Sequence, residues 1–419
     1  MAHEDDAAAP AGTEPAGLRI LAHRPDPRLW GLPWHVPLEE WDERVVVPLP
    51  RGLSRHVVRI VRVGEQVLAV KETTEPNALR EHRTLRDLHR LGLPAVVPQA
   101  VVTGRLDAAG APLPAALVTE HLRHSLPYRT VFSNGGTAEQ LTLLVDALVV
   151  LLVRLHLADL FWGDVSLSNV LFRRDAGAFA AYLVDAETSE LKQALSDPLR
   201  AYDLDLGCEN VFAELMDLQA SGAVDADVDG AELVELLQRR YAELWSELTD
   251  VEEFSSTEMW RIEQRLERLG DLGFDVEELD VVTDIGGDTV RIRPRVVELG
   301  HHARELQELT GLVVEDGQAR RLLHDLAAFT ATFDLAGLDR RVVAERWRRE
   351  VWEPFVALVP PQADGRREPA ELFHEVLVHR WFLSERAGRE VDLFETARDY
   401  VDRYLVQRPV ESIAAEPPG

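Results

Sequence analysis

Cysteine is almost missing: Cys208 is the only one in 419 residues. An internal disulfide is therefore excluded, and a reducing, cytoplasmic setting is expected. Lysine is nearly as scarce. Of 45 basic residues only Lys71 and Lys192 are lysines, and asparagine is confined to Asn77, Asn134, Asn169 and Asn210. A GC-rich genome produces this drift, because the codons of both residues are AT-rich. A lysine that persists where arginine is otherwise used marks a place where a compact ammonium and a forked guanidinium differ in effect.

Net positive charge is lacking too. The formal charge of −28 repels polyanions, so a nucleic-acid partner is excluded. A long hydrophobic run is also absent. The most apolar stretch, "LTLLVDALVVLLVRLHLADLFWG" (141–163), carries Asp146, Arg154 and His156. Its uninterrupted part, 147–153, is too short to cross a bilayer, so a buried helix is expected and no membrane span. Residues 1–16 are acidic, lack the apolar core of a signal peptide and read as a disordered tail. With 46% apolar and 28% charged residues, the remainder describes a soluble globular chain of two or three domains.

Residues 43–72 alternate β-branched runs with turns at Pro-Arg-Gly and Val-Gly-Glu, which predicts three antiparallel strands. "EPNALREHRTLRDLHRLGLP" carries helix start and stop signals around one apolar stripe. "AALVTEHL" and "FAAYLVDAE" read as buried strands on either side of the 141–159 helix. Beyond residue 230 the pattern is mostly helical, with one hairpin, "LDVVTDIGGDTVRIRP", around a Gly-Gly turn. The stretches 220–230 and 359–369 read as linkers.

Chemistry concentrates at a few positions. Lys71 ends the predicted third strand, and alternation puts Val67 and Ala69 on its face. An ammonium beside a small apolar surface suits a nucleotide, with adenine over Ala69 and phosphates at Lys71. Glu81 lies on the following helix with Leu85 and Leu88 at i+4 and i+7, so it faces inward and needs a cation; Lys71 is the nearest in sequence. In "LFWGDVSLSNVLF" (160–172), Asp164 and Asn169 stand five positions apart in a turn between apolar runs. A carboxylate there can orient a hydroxyl and accept its proton, and an amide oxygen can bind Mg²⁺. Asp185, closing "AYLVD", supplies the harder ligand. Lys, Glu, Asp, Asn and Asp in this order after a β-ribbon form a kinase constellation.

On these residues, with "LAVK", "LVTEHL", "GDVSLSN" and "LVDAE", the chain resembles protein-kinase-like folds, and within them the bacterial lipopolysaccharide-kinase (Kdo/WaaP-like) branch. Over nearly its whole length, with "PRGLSRHVVR", "LVRLHLADLFWGD", "AGAFAAYLVDAET" and "HRWFLSERAGR", it resembles the domain of unknown function 4032 family. The resemblance implies an α+β, bilobal fold: an N-lobe over 17–122, a C-lobe over 123–225 with the catalytic loop, and a mostly helical domain of unassigned role over 226–410. A disordered tail over 411–419 is expected after it. It further implies a hinge at Glu120 and Leu122, ATP and Mg²⁺ as cofactors, and "DLDLG" (203–207) as a buried helix start bracing the catalytic loop.

Departures from the kinase pattern narrow the substrate. A lone Gly52 replaces the glycine-rich motif, so Arg51, Gly52, Ser54 and Arg55 would cover the phosphates. Trp162-Gly163-Asp164 replaces His-Arg-Asp, Ala186 and Glu187 replace Phe-Gly, and no Ala-Pro-Glu element anchors a peptide platform. A sugar, lipid or small-molecule hydroxyl is favoured over a protein as phosphate acceptor. Two alternatives stay open: a nucleotide-binding pseudokinase whose C-terminal domain recruits a protein partner, and nucleotidyl transfer on the same fold. His121, His124, His301, His302 and Cys208 read as structural, and Trp245, Trp260 and Trp381 as packing anchors.

Overall fold

The computed structural model describes residues 17–24, 26–42, 44–47, 56–132, 137–225, 227–249, 300–360 and 365–408. It also describes Trp260, Gln264 and the backbone of five short strands between 252 and 299. The chain divides into two compact units. The first comprises the described residues among 1–49, 54–86 and 97–121, and the second those among 50–53, 87–96 and 122–419.

Among its described residues the first unit is an antiparallel sheet with two short 3-10 turns and one α-helix, α1 (Glu75–Arg90), whose residues up to 86 belong to it. Its strands are β1 (Arg19–Ala22), β2 (Val58–Val63), β3 (Gln66–Thr73), β4 (Pro98–Thr103) and β5 (Ala115–Glu120), in the order β1-β4-β5-β3-β2. Strands β2 and β3 join through Gly64 and Glu65, with Val63 opposite Gln66. Gly64 has φ +63°, as a tight hairpin turn demands. Alternation sends Leu68 and Val70 of β3 into a core with Val61, Ala100 and Val118 beneath Trp34.

Two of the three strands expected over 43–72 form. Of the other, the described residues hold a single bridge, Val46 to Val61; residues 43 and 48–55 lie outside the described residues. The Asp42 carbonyl accepts the N–H groups of Val45 and Val46 and its side chain accepts that of Arg44. That turn consumes backbone donors a strand would have needed. Strands β1 and β4 have no counterpart among the expected strands.

The second unit begins with β6 (Ser125–Pro127), the short α2 (Tyr128–Val131) and the long α3 (Ala138–Leu157). Thr137 and Gln140 cap α3 reciprocally. It is long and apolar enough to cross a membrane, yet 61% of its most apolar stretch is buried within the protein, so it serves as the core helix. Then follow β7 (Leu160–Phe161), β8 (Val170–Asp175), β9 (Ala178–Leu183), β10 (Glu190–Leu191), α4 (Asp197–Ala220) and α5 (Gly230–Thr249). Strands β6, β8 and β9 form one antiparallel sheet, and β7 pairs with β10. The stretch 220–230, expected as a linker, joins α4 to α5 inside this unit.

Further along, β11 (Glu252–Ser255), β13 (Glu278–Thr283) and β14 (Thr289–Arg295) form a sheet in the order β11-β14-β13, and β12 (Phe274–Asp275) pairs with β15 (Glu298–Leu299). The expected hairpin is thus β13–β14; its Gly-Gly turn, and most of the helical pattern expected over 257–273, lie outside the described residues. The helices are α6 (His301–Thr310), α7 (Asp316–Thr332), α8 (Arg340–Trp347), α9 (Glu353–Val356), α10 (Pro369–Ala387) and α11 (Leu393–Arg403). They enclose a core of Leu322, Trp347, Phe355, Phe373 and Val376. Trp245 stacks on Tyr241, as a packing anchor should. Trp260 and Trp381 are 60% and 59% exposed, which corrects that expectation for both.

The hairpin β8–β9 meets the starts of α7 and α10 through a dense polar seam. Arg173 reaches Glu315 at 2.5 Å and Glu368 at 2.7 Å. The Tyr182 hydroxyl donates to Glu315 at 2.8 Å. Asp175 accepts the N–H groups of Gly317 and Gln318 at 3.1 and 2.7 Å, capping the first turn of α7. A Cβ on Gly317 would lie 2.7 Å from that carboxylate, so any other residue would displace it from the cap. Glu371 accepts the Ala176 N–H at 2.7 Å.

Loss of solvent around its carboxyl group, and then the charges of Glu315 and Glu371, push Asp175 up to about 7, against the two N–H bonds that hold it down. Around the seam stand the cations Arg154, Arg173 and Arg174 and the acids Glu315, Asp316, Glu368 and Glu371. Acids outnumber bases, which accounts for the direction. A carboxyl raised from 3.8 to about 7 contributes stability in full below the lower value and loses it as pH rises through the upper one, on the order of 4 kcal/mol. Urea unfolding should therefore show Asp175→Asn gaining on wild type between pH 5 and pH 8. Parallel pH dependence in the two proteins would contradict this.

Candidate active site

Lys71 lies within β3, opposite Val58 of β2 and Leu117 of β5; the strand continues to Thr73 instead of ending at the lysine. Val67 and Ala69, on its side of the strand, are half-buried. Its Nζ reaches both oxygens of Glu81, at 3.0 and 3.2 Å. Glu81 is fully buried on α1, as are Leu85 and Leu88, so the spacing placed it correctly. The lysine side chain is 11% exposed. With both charges that enclosed, removing either partner would cost the other a close, poorly solvated ionic contact.

Glu120 closes β5, where its N–H donates to the Val97 carbonyl and its carboxylate accepts from Gln99 at 2.6 Å. Leu122 opens the second unit, and its carbonyl accepts the Ser125 hydroxyl. Arg51, Gly52, Ser54 and Arg55 lie outside the described residues.

In the second unit the loop 162–169 runs from β7 to β8. Gly163 has φ +76°, and a Cβ there would stand 3.0 Å from the Phe161 ring and 3.2 Å from the Thr188 carbonyl, so glycine is required before Asp164. The fully buried Asp203 of α4 accepts the N–H groups of Trp162 at 2.6 Å and Gly163 at 2.7 Å. It also meets His156 Nε2 at 3.2 Å. Burial holds His156 below its ordinary pKa, against the pull of Asp203. The brace expected from "DLDLG" is therefore present, but within the body of α4, which begins at Asp197, and not at a helix start; Gly207 of that stretch lets α4 approach, since a Cβ there would sit 2.8 Å from Val165.

Two further braces on α4 are absent from the sequence reading. Asn210 donates to the Val165 carbonyl at 2.9 Å and reaches Asp164 Oδ1 at 3.5 Å. Glu214 accepts the N–H groups of Leu167 and Ser168 at 2.9 and 2.8 Å and the Ser168 hydroxyl at 2.5 Å. Burial raises the Glu214 carboxyl, opposed by these same bonds. Asp203, Gly207, Asn210 and Glu214 follow i, i+4, i+7, i+11, one face of a helix. That spacing, together with the rarity of asparagine, was the available signal.

Asp164 and Asn169 do come together. The Asn169 amide nitrogen donates to Asp164 Oδ2 and to the Asp164 carbonyl, both at 2.9 Å. With its nitrogen so engaged, Asn169 offers its amide oxygen to a cation. Its backbone carbonyl accepts the N–H of Val184 at 3.0 Å, next to Asp185, whose Oδ1 accepts the Glu187 N–H. One amide oxygen and one carboxylate are hard donors, and they fit Mg²⁺ better than a softer metal.

The family model for the lipopolysaccharide kinase (Kdo/WaaP) family matches residues 59–207, which hold Lys71, Glu81, Asp164, Asn169, Asp185 and Asp203. The model for the domain of unknown function DUF4032 matches residues 243–405. Among solved structures, the chain is similar to WaaP in complex with acyl carrier protein, at 18% identity over 54% of this chain and 99% of that one, with a TM-score of 0.31. It is also similar to a chain of the yeast RNA Pol II CTD kinase complex, at 15% identity over 35% of this chain and 50% of that one, with a TM-score of 0.24. No curated protein matches the sequence. The α+β class and the order of elements around the lysine, the glutamate and the loop are those expected of a protein-kinase-like chain.

Asp203→Ala would orphan two backbone N–H groups and deprive His156 Nε2 of its carboxylate, at a cost of about 2–5 kcal/mol. Urea unfolding measures it. A change below about 0.5 kcal/mol, the scale of an ordinary surface substitution, would show that Asp203 does not hold the loop.

Proposed function

We propose that the protein is an ATP- and Mg²⁺-dependent phosphotransferase acting on a hydroxyl of a sugar, lipid or small molecule. The observation that carries this reading is the loop 162–169, in which one carboxylate and one amide are locked together by side-chain and backbone bonds. The family match over 59–207 supports it.

Each residue then has a task. Asp164, with its carboxylate fixed by Asn169, orients the acceptor hydroxyl and takes its proton. Lys71, held by Glu81, binds and neutralises nucleotide phosphate oxygens with a compact ammonium that a guanidinium would not replace. Asn169 and Asp185 hold the metal through oxygen atoms. When bound, Mg²⁺ supplies charge neutralisation on the phosphates and orientation of the transferred group. Ala69 offers a small apolar surface to the base, with Glu120 closing the neighbouring strand and Leu122 two positions on in sequence, and phosphate binding is assigned to Gly52, Ser54 and Arg55 from the sequence alone. The absence of Phe-Gly after Asp185 and of a peptide-anchoring element supports a non-protein acceptor.

The roles of Asp164 and Asp185 separate experimentally. Asp164→Asn should leave nucleotide affinity nearly intact while turnover falls about 100- to 10,000-fold, the usual contribution of a general base. Asp185→Asn should instead lose the Mg²⁺-dependent part of nucleotide binding. Calorimetry with and without Mg²⁺, alongside ATP consumption with a panel of hydroxyl acceptors, measures both. Loss of binding in both variants would contradict the division of roles. Normal nucleotide binding without turnover in wild type, across a broad acceptor panel, would replace the enzyme with a nucleotide-binding scaffold.

A further inference from the structure

The hairpin β8–β9 has two distinctive ends. Asn169 immediately precedes β8, and Asp185 follows β9 by two residues. The Val184 to Asn169 backbone bond ties these ends together. The other half of the hairpin, from Arg173 through the turn at Ala176 and Gly177 to Tyr182, is gripped by side chains of the helical C-terminal region.

The grip is specific in chemistry. Glu315 takes Arg173 and Tyr182, Glu368 takes Arg173 a second time, and Glu371 takes the backbone N–H of Ala176. Gln318, fully buried, donates its amide to the Arg174 carbonyl at 2.9 Å and lies 3.3 Å from Glu371. Both strands and the turn are held, each by a different contact. A buried ionic seam of this kind is seldom the most stabilising choice, since apolar residues of similar volume usually do as well or better. What it provides is a single register: shifting the hairpin by one residue would break the contacts of Arg173 with Glu315 and Glu368, of Tyr182 with Glu315 and of Ala176 with Glu371.

We infer that Glu315, Glu368 and Glu371 are positioning residues, through which the C-terminal helices set the register of the hairpin and thereby the relative placement of Asn169 and Asp185. This rests on the reading of those two residues as metal ligands. It assigns residues 300–405 a part in nucleotide–metal binding, although none of them touches Asn169 or Asp185 through the contacts described.

The test is the Mg²⁺ dependence of ADP binding by the full chain, measured by calorimetric titration of Mg²⁺ at saturating ADP. Glu315→Gln keeps the shape of the side chain but removes the charge that Arg173 and Tyr182 engage. It should weaken apparent Mg²⁺ affinity about tenfold, the lower end of the effect expected when a residue orients ligands at one remove, and leave metal-free ADP binding unchanged. Tyr182→Phe removes a single hydrogen bond and should move the same quantity in the same direction by less, which keeps the test informative if Glu315→Gln does not fold. Asp325→Asn weakens the Trp347 to Asp325 bond at 2.8 Å within the C-terminal helices, away from the hairpin, and should leave Mg²⁺ affinity at the wild-type value.

Unchanged Mg²⁺ affinity in Glu315→Gln and Tyr182→Phe would overturn the inference while the proposed function stood. An equal loss in Asp325→Asn would also overturn it, by tracing the effect to general destabilisation. Wild-type protein whose ADP binding ignores Mg²⁺ would overturn both the inference and the assignment of ligands beneath it.

Discussion

A carboxylate with no solvent exposure, Asp203, accepts two consecutive backbone N–H groups at the start of the loop that carries Asp164. Backbone polar groups withdrawn from water must find partners, and a turn through a glycine at positive φ has no strand or helix to supply them. Helix α4 supplies them from its side. The same face adds Asn210 and Glu214 further along the loop, so Asp164 and Asn169 are held from both ends. If Asp203 failed, the loop's backbone would have to seek water or rearrange, and the Asp164–Asn169 bonds would lose their frame.

The second constraint is the polar seam between β8–β9 and the helices beyond residue 300. The C-terminal helices belong to the same compact unit as the loop. Elementary electrostatics explains its sensitivity: burial and a surplus of acids raise Asp175 toward neutrality, so part of the seam's energy depends on pH near the physiological range. A hairpin anchored to helices by charge pairs is placed more discriminately than one anchored by apolar contact, because a misplaced charge is costly in a way that a misplaced methyl group is not.

Local periodicity made much of this legible in the sequence. Strand alternation through Val67, Ala69 and Lys71, and helical spacing from Glu81 to Leu85 and Leu88, each correspond to a face in the structure, and their meeting is the Lys71–Glu81 ion pair. The short spacing of Asp164 and Asn169 was readable for the same reason. What stayed hidden depends on contacts between distant segments. Helix α4 turns polar residues inward, while Leu199, Tyr202, Phe212 and Met216 are exposed on it; a helix of that composition reads as having its solvated face where Asn210 and Glu214 in fact grip the loop. Near Val46 the described residues hold only a bridge, where the Asp42 turn competes locally for the same N–H groups. The seam of Arg173, Glu315, Glu368 and Glu371 joins residues more than 130 positions apart, and charged residues at such separations give no sign of pairing in one sequence.

The account stands most directly on where a metal–nucleotide complex binds. A crystal structure of the full chain grown with Mg²⁺ and a non-hydrolysable ATP analogue should place the cation on the Asn169 amide oxygen and an Asp185 carboxylate oxygen, with a phosphate oxygen within hydrogen-bonding distance of Lys71 Nζ. A nucleotide bound away from these residues, or a cation held by other side chains while Asn169 and Asp185 keep only their present partners, would contradict it.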